Sequence, residues 1–302
     1  MTTLAMALNQ LFNGLSIASI LLLAALGLSL SFGLMRVINM AHGELLMMGG
    51  FLAYIAHQIL PSAPLLLSLP LAFVGTALFG ALMEVVLVRR LYGRPLDTLL
   101  ATWGVSLILQ QAARNLFGPT GVEVTAPPWL ASSVTVDTGA LAGLGLPSVR
   151  IFVIVLAIIV LLAMGLIFNK TRAGLYIRAV NQNRPMSSAL GVDTRWVDVL
   201  VFALGSGIAG LAGGALALIA PVTPTVGQSY VVDAFLVVIL GGMGTIRGTA
   251  IAAILIGLLS ALAETFTSVS FAKVLLLLFL VAFLQWKPKG LVVTRSRALE
   301  DA

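Results

Sequence analysis

Residues Leu15 to Met35 run for 21 positions without one charged side chain. A helix of that length rises about 30 Å, the thickness of a bilayer's hydrocarbon core, so the run reads as a membrane span. Further apolar runs follow at 65–88, 98–117, 151–168, 197–219, 249–265 and 274–286. Inside lipid every backbone group must be paired within the protein, and a chain of successive apolar runs satisfies this as an all-α, polytopic helical bundle. Composition agrees. Only 9% of the 302 residues are charged and the mean hydropathy is +1.10, whereas soluble domains carry about 25% charged residues.

The basic residues set the orientation. Arg89, Arg90 and Arg94 close one run. The stretch Asn169–Trp196 holds five of the 17 Lys and Arg residues (Lys170, Arg172, Arg178, Arg184 and Arg195) against one acid, Asp193. Lys287, Lys289, Arg295 and Arg297 crowd the tail. By contrast 118–149 has neither Lys nor Arg and carries Glu123 and Asp137. The positive-inside rule places the basic segments in the cytoplasm and 118–149 outside. The crossings add up to about nine spans (eight to ten), with the N-terminus out and the C-terminus in. The first residues lack the positive n-region of a cleaved signal, so the first run is expected to stay as a span. The whole chain, 1–302, is expected to be one transmembrane domain, with an external loop at about 118–149, a cytoplasmic loop at about 169–196 and a cytoplasmic tail at 287–302.

Two apolar segments are interrupted or re-entrant. The first, at 37–50, holds Asn39, His42, Glu44 and the pair Gly49-Gly50; the second, 230–248, is broken by GGMGTIRG. Glycine-interrupted segments at corresponding places in two halves of a chain point to a transport path built from half-helices. The same glycines also suit close helix packing.

An ionisable group inside a span is a functional candidate by default. Glu44 is the sharpest, with Asn39 and His42 beside it; a helix break at Gly43 puts it near a helix N-terminus, whose dipole favours a carboxylate. It either serves a path or satisfies the backbone at the break. Glu84 is expected to pair with Arg89 or Arg90. Gln110 and Gln111 either bind a polar solute or bridge helices, and Trp103 offers an apolar wall. Asp233 reads as a helix-start residue, and Glu264 fits a path or a structural role equally. There is no cysteine, and His42 and His57 are the only histidines, so disulfides, thiol chemistry and a metal site are not expected. No G-x-S-x-G, H-E-x-x-H or G-x-x-x-x-G-K-[ST] occurs, and no catalytic residue or cofactor is expected. The basic residues lie in short loops without aromatic interleaving, which does not suit nucleic acid. Within the basic loop, Ile177, Val180, Ala189, Leu190 and Val192 alternate with polar residues as in a short amphipathic helix, which Pro185 must end or kink. Such a loop either docks a soluble partner or only fixes topology.

Four stretches together resemble a known family: Arg36-Val-Ile-Asn39-Met-Ala-His42-Gly43-Glu44, RAVNQNRPMSSALGVDTRW, VFALGSGIAGLAGGALA (201–217) and GGMGTIRGT. They are similar to the branched-chain amino-acid and urea class of ABC-transporter permeases, over nearly the whole chain. Residues 91–124 and the closing WKPKGLVVTRSRALE look most like the urea-transporting subgroup. The resemblance implies an ATP-driven importer in a bacterial cytoplasmic (inner) membrane. Its parts would be this permease, a second homologous permease, two cytoplasmic ATPase subunits, a periplasmic solute-binding protein, membrane lipid and a small-molecule substrate. It further implies a coupling helix within 172–195, with Arg178, Asn181, Arg184, Ala189, Gly191 and Asp193 in the coupling loop; the Glu of the family's loop signature is absent. Urea is neutral and polar, so Asn39, His42, Glu44, Trp103, Gln110 and Gln111 are the expected path residues. Branched-chain amino acids are the alternative substrate, and an ATP-independent channel or secondary transporter is the alternative from another class.

Overall fold

The computed structural model describes residues 3–35, 37–59, 64–136 and 144–292. Arg36, Asp137, Arg295 and Arg297, all used in reading the sequence, lie outside the described residues. Helices make up nearly all of it: α1 (Thr3–Met35), α2 (His42–Ile59), α3 (Pro64–Val86), a 3₁₀ turn (Val88–Leu91), α4 (Pro95–Phe117), α5 (Ser148–Lys170), α6 (Arg172–Gln182), α7 (Arg184–Ala189), α8 (Thr194–Leu216), α9 (Val226–Gly241), α10 (Ile246–Phe266) and α11 (Val269–Trp286). Between α4 and α5 a small antiparallel hairpin pairs β1 (Ser133–Val136) with β2 (Leu144–Pro147), Val136 opposite Leu144.

Six of these helices, α1, α3, α5, α8, α10 and α11, are long and apolar enough to cross a membrane unaided. The remaining long helices, α2, α4 and α9, pack with them, and α6 and α7 form the basic loop. Burial sorts centre from rim. The apolar windows of α1 and α8 are 78% and 72% buried, that of α11 only 17%. The frame is therefore α1 and α8, wrapped by α2, α3, α9 and α10, while α4, α5 and α11 pack outside and turn apolar side chains outward.

Small residues hold the frame together, as they do where lipid removes the hydrophobic drive between helices. The run 205–214 of α8 lies between two helices: a Cβ on Gly213 would strike the Leu46 carbonyl of α2, and one on Gly210 the Ala72 carbonyl of α3. Gly49 meets Gly210 backbone to backbone. This corrects one expectation. Gly43, Gly49 and Gly50 lie inside α2 and do not break it; the break of the first segment spans only 37–41. In the second segment α9 continues to Gly241, and the break is the turn 242–245, where Gly242 and Gly244 take positive φ.

The connections also show which ends share a face. Arg184 reaches Asp198 and Tyr92; Met35 and Tyr92 line one cavity; the Leu291 amide bonds the Leu240 carbonyl. These are the Lys- and Arg-rich ends, the ones that the positive-inside rule assigns to the cytoplasm. At the other face Val122 and Val222 exchange backbone hydrogen bonds, and Arg150 bonds Asn13.

Candidate functional site

The chain leaves α1 and turns back along the bundle as an extended strap, 37–41, before α2 starts. Asn39 makes that start: its Oδ1 accepts from the Ala41 amide at 3.0 Å, an Asx turn that supplies the first free N–H groups with a partner. His42, 2% exposed, then anchors the new helix by bonding the Ala24 carbonyl at 2.9 Å through Nε2. Ala24 lies eleven residues before the end of α1, about 16 Å up the helix. The strap thus carries the start of α2 deep into the bundle, and Glu44, in the first turn, is 1% exposed there.

Helix α4 runs parallel to the strap and α2. Only Thr98, Thr102, Ser106, Gln110 and Ala113 of its 23 residues are buried, and four of these are polar at a spacing of four, one stripe along one helix face. The Met40 amide donates to the Thr102 hydroxyl at 3.1 Å. One turn deeper the Ser106 hydroxyl donates to Glu44 Oε1 at 3.1 Å, and the Gln110 amide donates to the same oxygen at 2.8 Å. Further along, Phe51 of α2 stacks on Phe117 with ring centres 4.3 Å apart.

The other carboxylate oxygen, Glu44 Oε2, is buried and accepts no hydrogen bond among the described residues. It faces Gly227 at the start of α9, where a methyl group would stand 2.8 Å away. Gly43 and Gly227 touch backbone to backbone, so α9 comes this close only because neither carries a side chain.

Of the expected path residues, Glu44 and Gln110 are in contact, while Asn39 and His42 fix the start of α2 through Ala41 and Ala24. Trp103 and Gln111 do not join them. Trp103 is 49% exposed on the outer side of α4, and Gln111 is exposed and donates to Asn115 at 3.0 Å. A helix turns 100° per residue, so Gln110 and Gln111 cannot share a face. Thr98, Thr102 and Ser106 join the site instead; their four-residue spacing with Gln110 is the signal that marks them in the sequence. Asp233 is not a helix-start residue. It lies within α9 and pairs with Lys273 of α11 at 3.1 Å.

At the Lys- and Arg-rich end a second polar chain ties separate elements. Glu84, fully buried, receives Arg89 at 2.9 Å, the pair anticipated, and the Tyr92 hydroxyl at 3.0 Å. Arg184, from the basic loop, lies over the Tyr92 ring at 5.4 Å and grips the buried Asp198 carboxylate with two parallel hydrogen bonds, one of them 3.0 Å. Burial, with the Asp198 and Glu84 carboxylates nearby, pushes the Tyr92 phenol far above its ordinary range, so it stays a donor. The hydrogen bonds to Asp198 likewise hold the Arg184 guanidinium above its ordinary value.

Residues 10–284 match the family described as "Branched-chain amino acid transport system / permease component". The chain belongs to this family. Among similar curated proteins, the permease protein BraD of the high-affinity branched-chain amino acid transport system of Pseudomonas aeruginosa is 28% identical, covering 94% of this chain and 95% of its own. The corresponding LivH of Escherichia coli K12 is 26% identical over the same shares. The ribose import permease protein RbsC of E. coli K12 is 29% identical over 84% of this chain and 77% of its own. No solved structure matches the chain. It is a multi-pass permease of the cytoplasmic membrane, a transport component and not an enzyme.

In this permease the basic loop folds as two short helices, because Asn183 ends α6 and caps α7 through the Met186 amide at 3.0 Å, with Pro185 in the first turn. Arg178, Asn181 and Ala189 are exposed, as are Met186 and Leu190. Gly191 turns the chain with φ 85°. Asp193 caps α8, accepting from the Arg195 and Trp196 amides at 3.0 and 3.2 Å. Arg184, itself 45% exposed, is the one expected loop residue that pairs with a buried carboxylate, Asp198, among the described residues.

Proposed function

We propose that the permease forms one wall of the solute path of an ATP-driven importer, and that the seam between α2 and α4 touches the solute at Glu44. The observation that carries this is the divided carboxylate: Oε1 is held by Ser106 and Gln110, while Oε2 is buried with no donor among the described residues. A buried acceptor without a partner is unfavourable by about 1–3 kcal/mol, more when charged. A solute carrying N–H groups supplies the missing donor. The path is completed by a second homologous permease; a periplasmic binding protein delivers the solute, and two cytoplasmic ATPase subunits press on α6 and α7, whose exposed Met186, Ala189 and Leu190 give them an apolar contact.

The solute class follows the family. BraD and LivH are named for branched-chain amino acids, and the ammonium of an amino acid suits a carboxylate better than any neutral group does. Urea is the second reading. It is favoured by one specific observation: the stretch 91–124, which resembles the urea-transporting subgroup, is the one that supplies Thr102, Ser106 and Gln110 to the seam.

Labelled leucine and labelled urea, offered side by side to cells producing the whole importer with Glu44→Gln, separate these readings. Glutamine keeps an acceptor and loses the charge. Leucine uptake falling by about tenfold or more, the effect of a lost charge-assisted hydrogen bond, supports the amino acid. Urea uptake that tolerates Glu44→Gln and fails in Glu44→Leu supports urea. Uptake of both solutes indifferent to Glu44→Leu removes the seam from the path, and uptake without ATP removes the importer.

A further inference from the structure

Below the polar stripe of α4 the structure holds a cavity of about 480 Å³ on the cytoplasmic face. Its walls come from the end of α1 and the strap (Val37), the turn Tyr92–Pro95, and Thr98 at the foot of the stripe; Arg184 of the basic loop also lines it. From Thr98 to Gln110 the polar stripe climbs about 18 Å, so this cavity lies at one end of the stripe and Glu44 at the other.

We propose that Arg184, clamped between Asp198 and Tyr92, is the cytoplasmic gate of this seam, and that the loop which docks the partner subunits works it directly. The inference rests on the reading of the seam as the path. Three relationships carry it. Arg184 is the first residue of α7, two residues before Met186 and six before Leu190, both more than half exposed, so a load on those side chains moves its backbone. The guanidinium fork is held by Asp198 of the rigid helix α8 and stacks on Tyr92, whose hydroxyl is fixed to Glu84 of α3. And the Thr98 hydroxyl donates to the Leu91 and Arg94 carbonyls at 3.1 and 2.9 Å, which ties α4 to the turn that carries Tyr92. Releasing Arg184 frees that turn, and with it a helix buried along one stripe only. Arginine suits the post because its planar fork binds a carboxylate and stacks on a ring at once; lysine does neither as well.

The chain contains no cysteine, so Val37→Cys introduces a single thiol on the cavity wall and leaves the Thr98 tie in place. The position is 4% exposed. Its labelling by a membrane-impermeant maleimide is measured in inside-out vesicles containing the whole importer, with the parent Arg184 and with Arg184→Ala, Arg184→Lys and Asp198→Asn. Slow labelling is expected with Arg184. The rate should rise about tenfold in Arg184→Ala and Asp198→Asn, the size of a lost charge-assisted contact, and by less in Arg184→Lys. Unchanged rates in Arg184→Ala and Asp198→Asn, or fast labelling already with Arg184, overturn the gate. So does an equal rise at Ala56→Cys, a fully buried position in α2, because it reports general loosening. Labelling is read without any solute. A gate that opens as stated beside uptake indifferent to Glu44→Leu therefore locates the failure in the path reading and leaves the closure by Arg184 standing.

Discussion

The Gln110 amide donates to Glu44 Oε1 at 2.8 Å across 66 residues of chain. This bond joins the start of α2 to the middle of α4 between two buried side chains. Ser106 adds a second donor to the same oxygen at 3.1 Å, and Gln110 also donates to Ser106 at 3.2 Å, so the three side chains form a closed set.

Gln110→Leu is therefore expected to destabilise the permease by about 1–3 kcal/mol, since it leaves a buried carboxylate short of a donor. Gln111→Leu should change almost nothing, because its amide bonds only Asn115 on an exposed face. Thermal unfolding of the detergent-solubilised chain compares the two. Equal losses would contradict the placement of Gln110.

Close approach of α2 and α9 makes a sterically simple prediction. A Cβ at Gly227 would collide with the Gly43 backbone and stand against Glu44 Oε2, whereas one at Gly165 of α5 meets nothing within 4 Å. Gly227→Val should abolish both uptake and stable accumulation in the membrane. Gly165→Ala should be tolerated in both assays and, in an outward-facing helix, should slightly raise the melting temperature.

Asp233 and Lys273 give a prediction about pairing. The aspartate side chain is 17% exposed, the lysine 45%. Removing one partner strands the other charge near lipid, and removing both leaves no charge to strand. Lys273→Met should lower the melting temperature more than the double change Asp233→Asn with Lys273→Met. A double variant less stable than Lys273→Met would mean the pair contributes nothing.

Tyr92 sets a pH expectation. An ordinary phenol titrates near pH 10, and burial with two nearby carboxylates raises this one further. A group whose value is raised on folding contributes fully below its unfolded value and loses that contribution only as pH rises through the folded one. The stability difference between the parent and Tyr92→Phe should therefore stay constant from about pH 6 to pH 9. A difference that shrinks within that window would show that the phenol ionises there.

At the loop, Leu190→Asp is expected to abolish uptake while leaving the amount of permease in the membrane unchanged, because that side chain is 77% exposed and holds no internal contact of consequence. Immunodetection beside an uptake assay checks both halves of the statement.

The spans were legible because lipid enforces a simple rule: an apolar run of sufficient length becomes a helix, as 15–35 and 151–168 did. The identity of the loop was legible for the complementary reason, since Lys170, Arg172 and Arg178 cannot be submerged cheaply. Which of two adjacent glutamines faces inward was legible only through the company each keeps. Thr98, Thr102 and Ser106 mark the face of Gln110, and a residue considered alone carries no such mark. The partner of Asp233 sits forty residues away on another helix, and that of Arg184 depends on how α7 turns back over α8; neither follows from local pattern. The break at 37–41 was misplaced onto Gly43 because glycine inside a membrane helix permits contact as readily as it ends a helix, and Gly227 is what distinguishes the two.

Helices α2, α4 and α9, which meet around Glu44, fall outside the set long and apolar enough to cross a membrane unaided, α9 because it is short. The consequence reaches back to biogenesis. A ribosome-fed insertion machinery sorts segments by their length and affinity for lipid, and these three fall short in one or the other. They must be held until α1, α3 or α8 is beside them, so the features that equip this permease to handle a polar solute also make its birth a cooperative event.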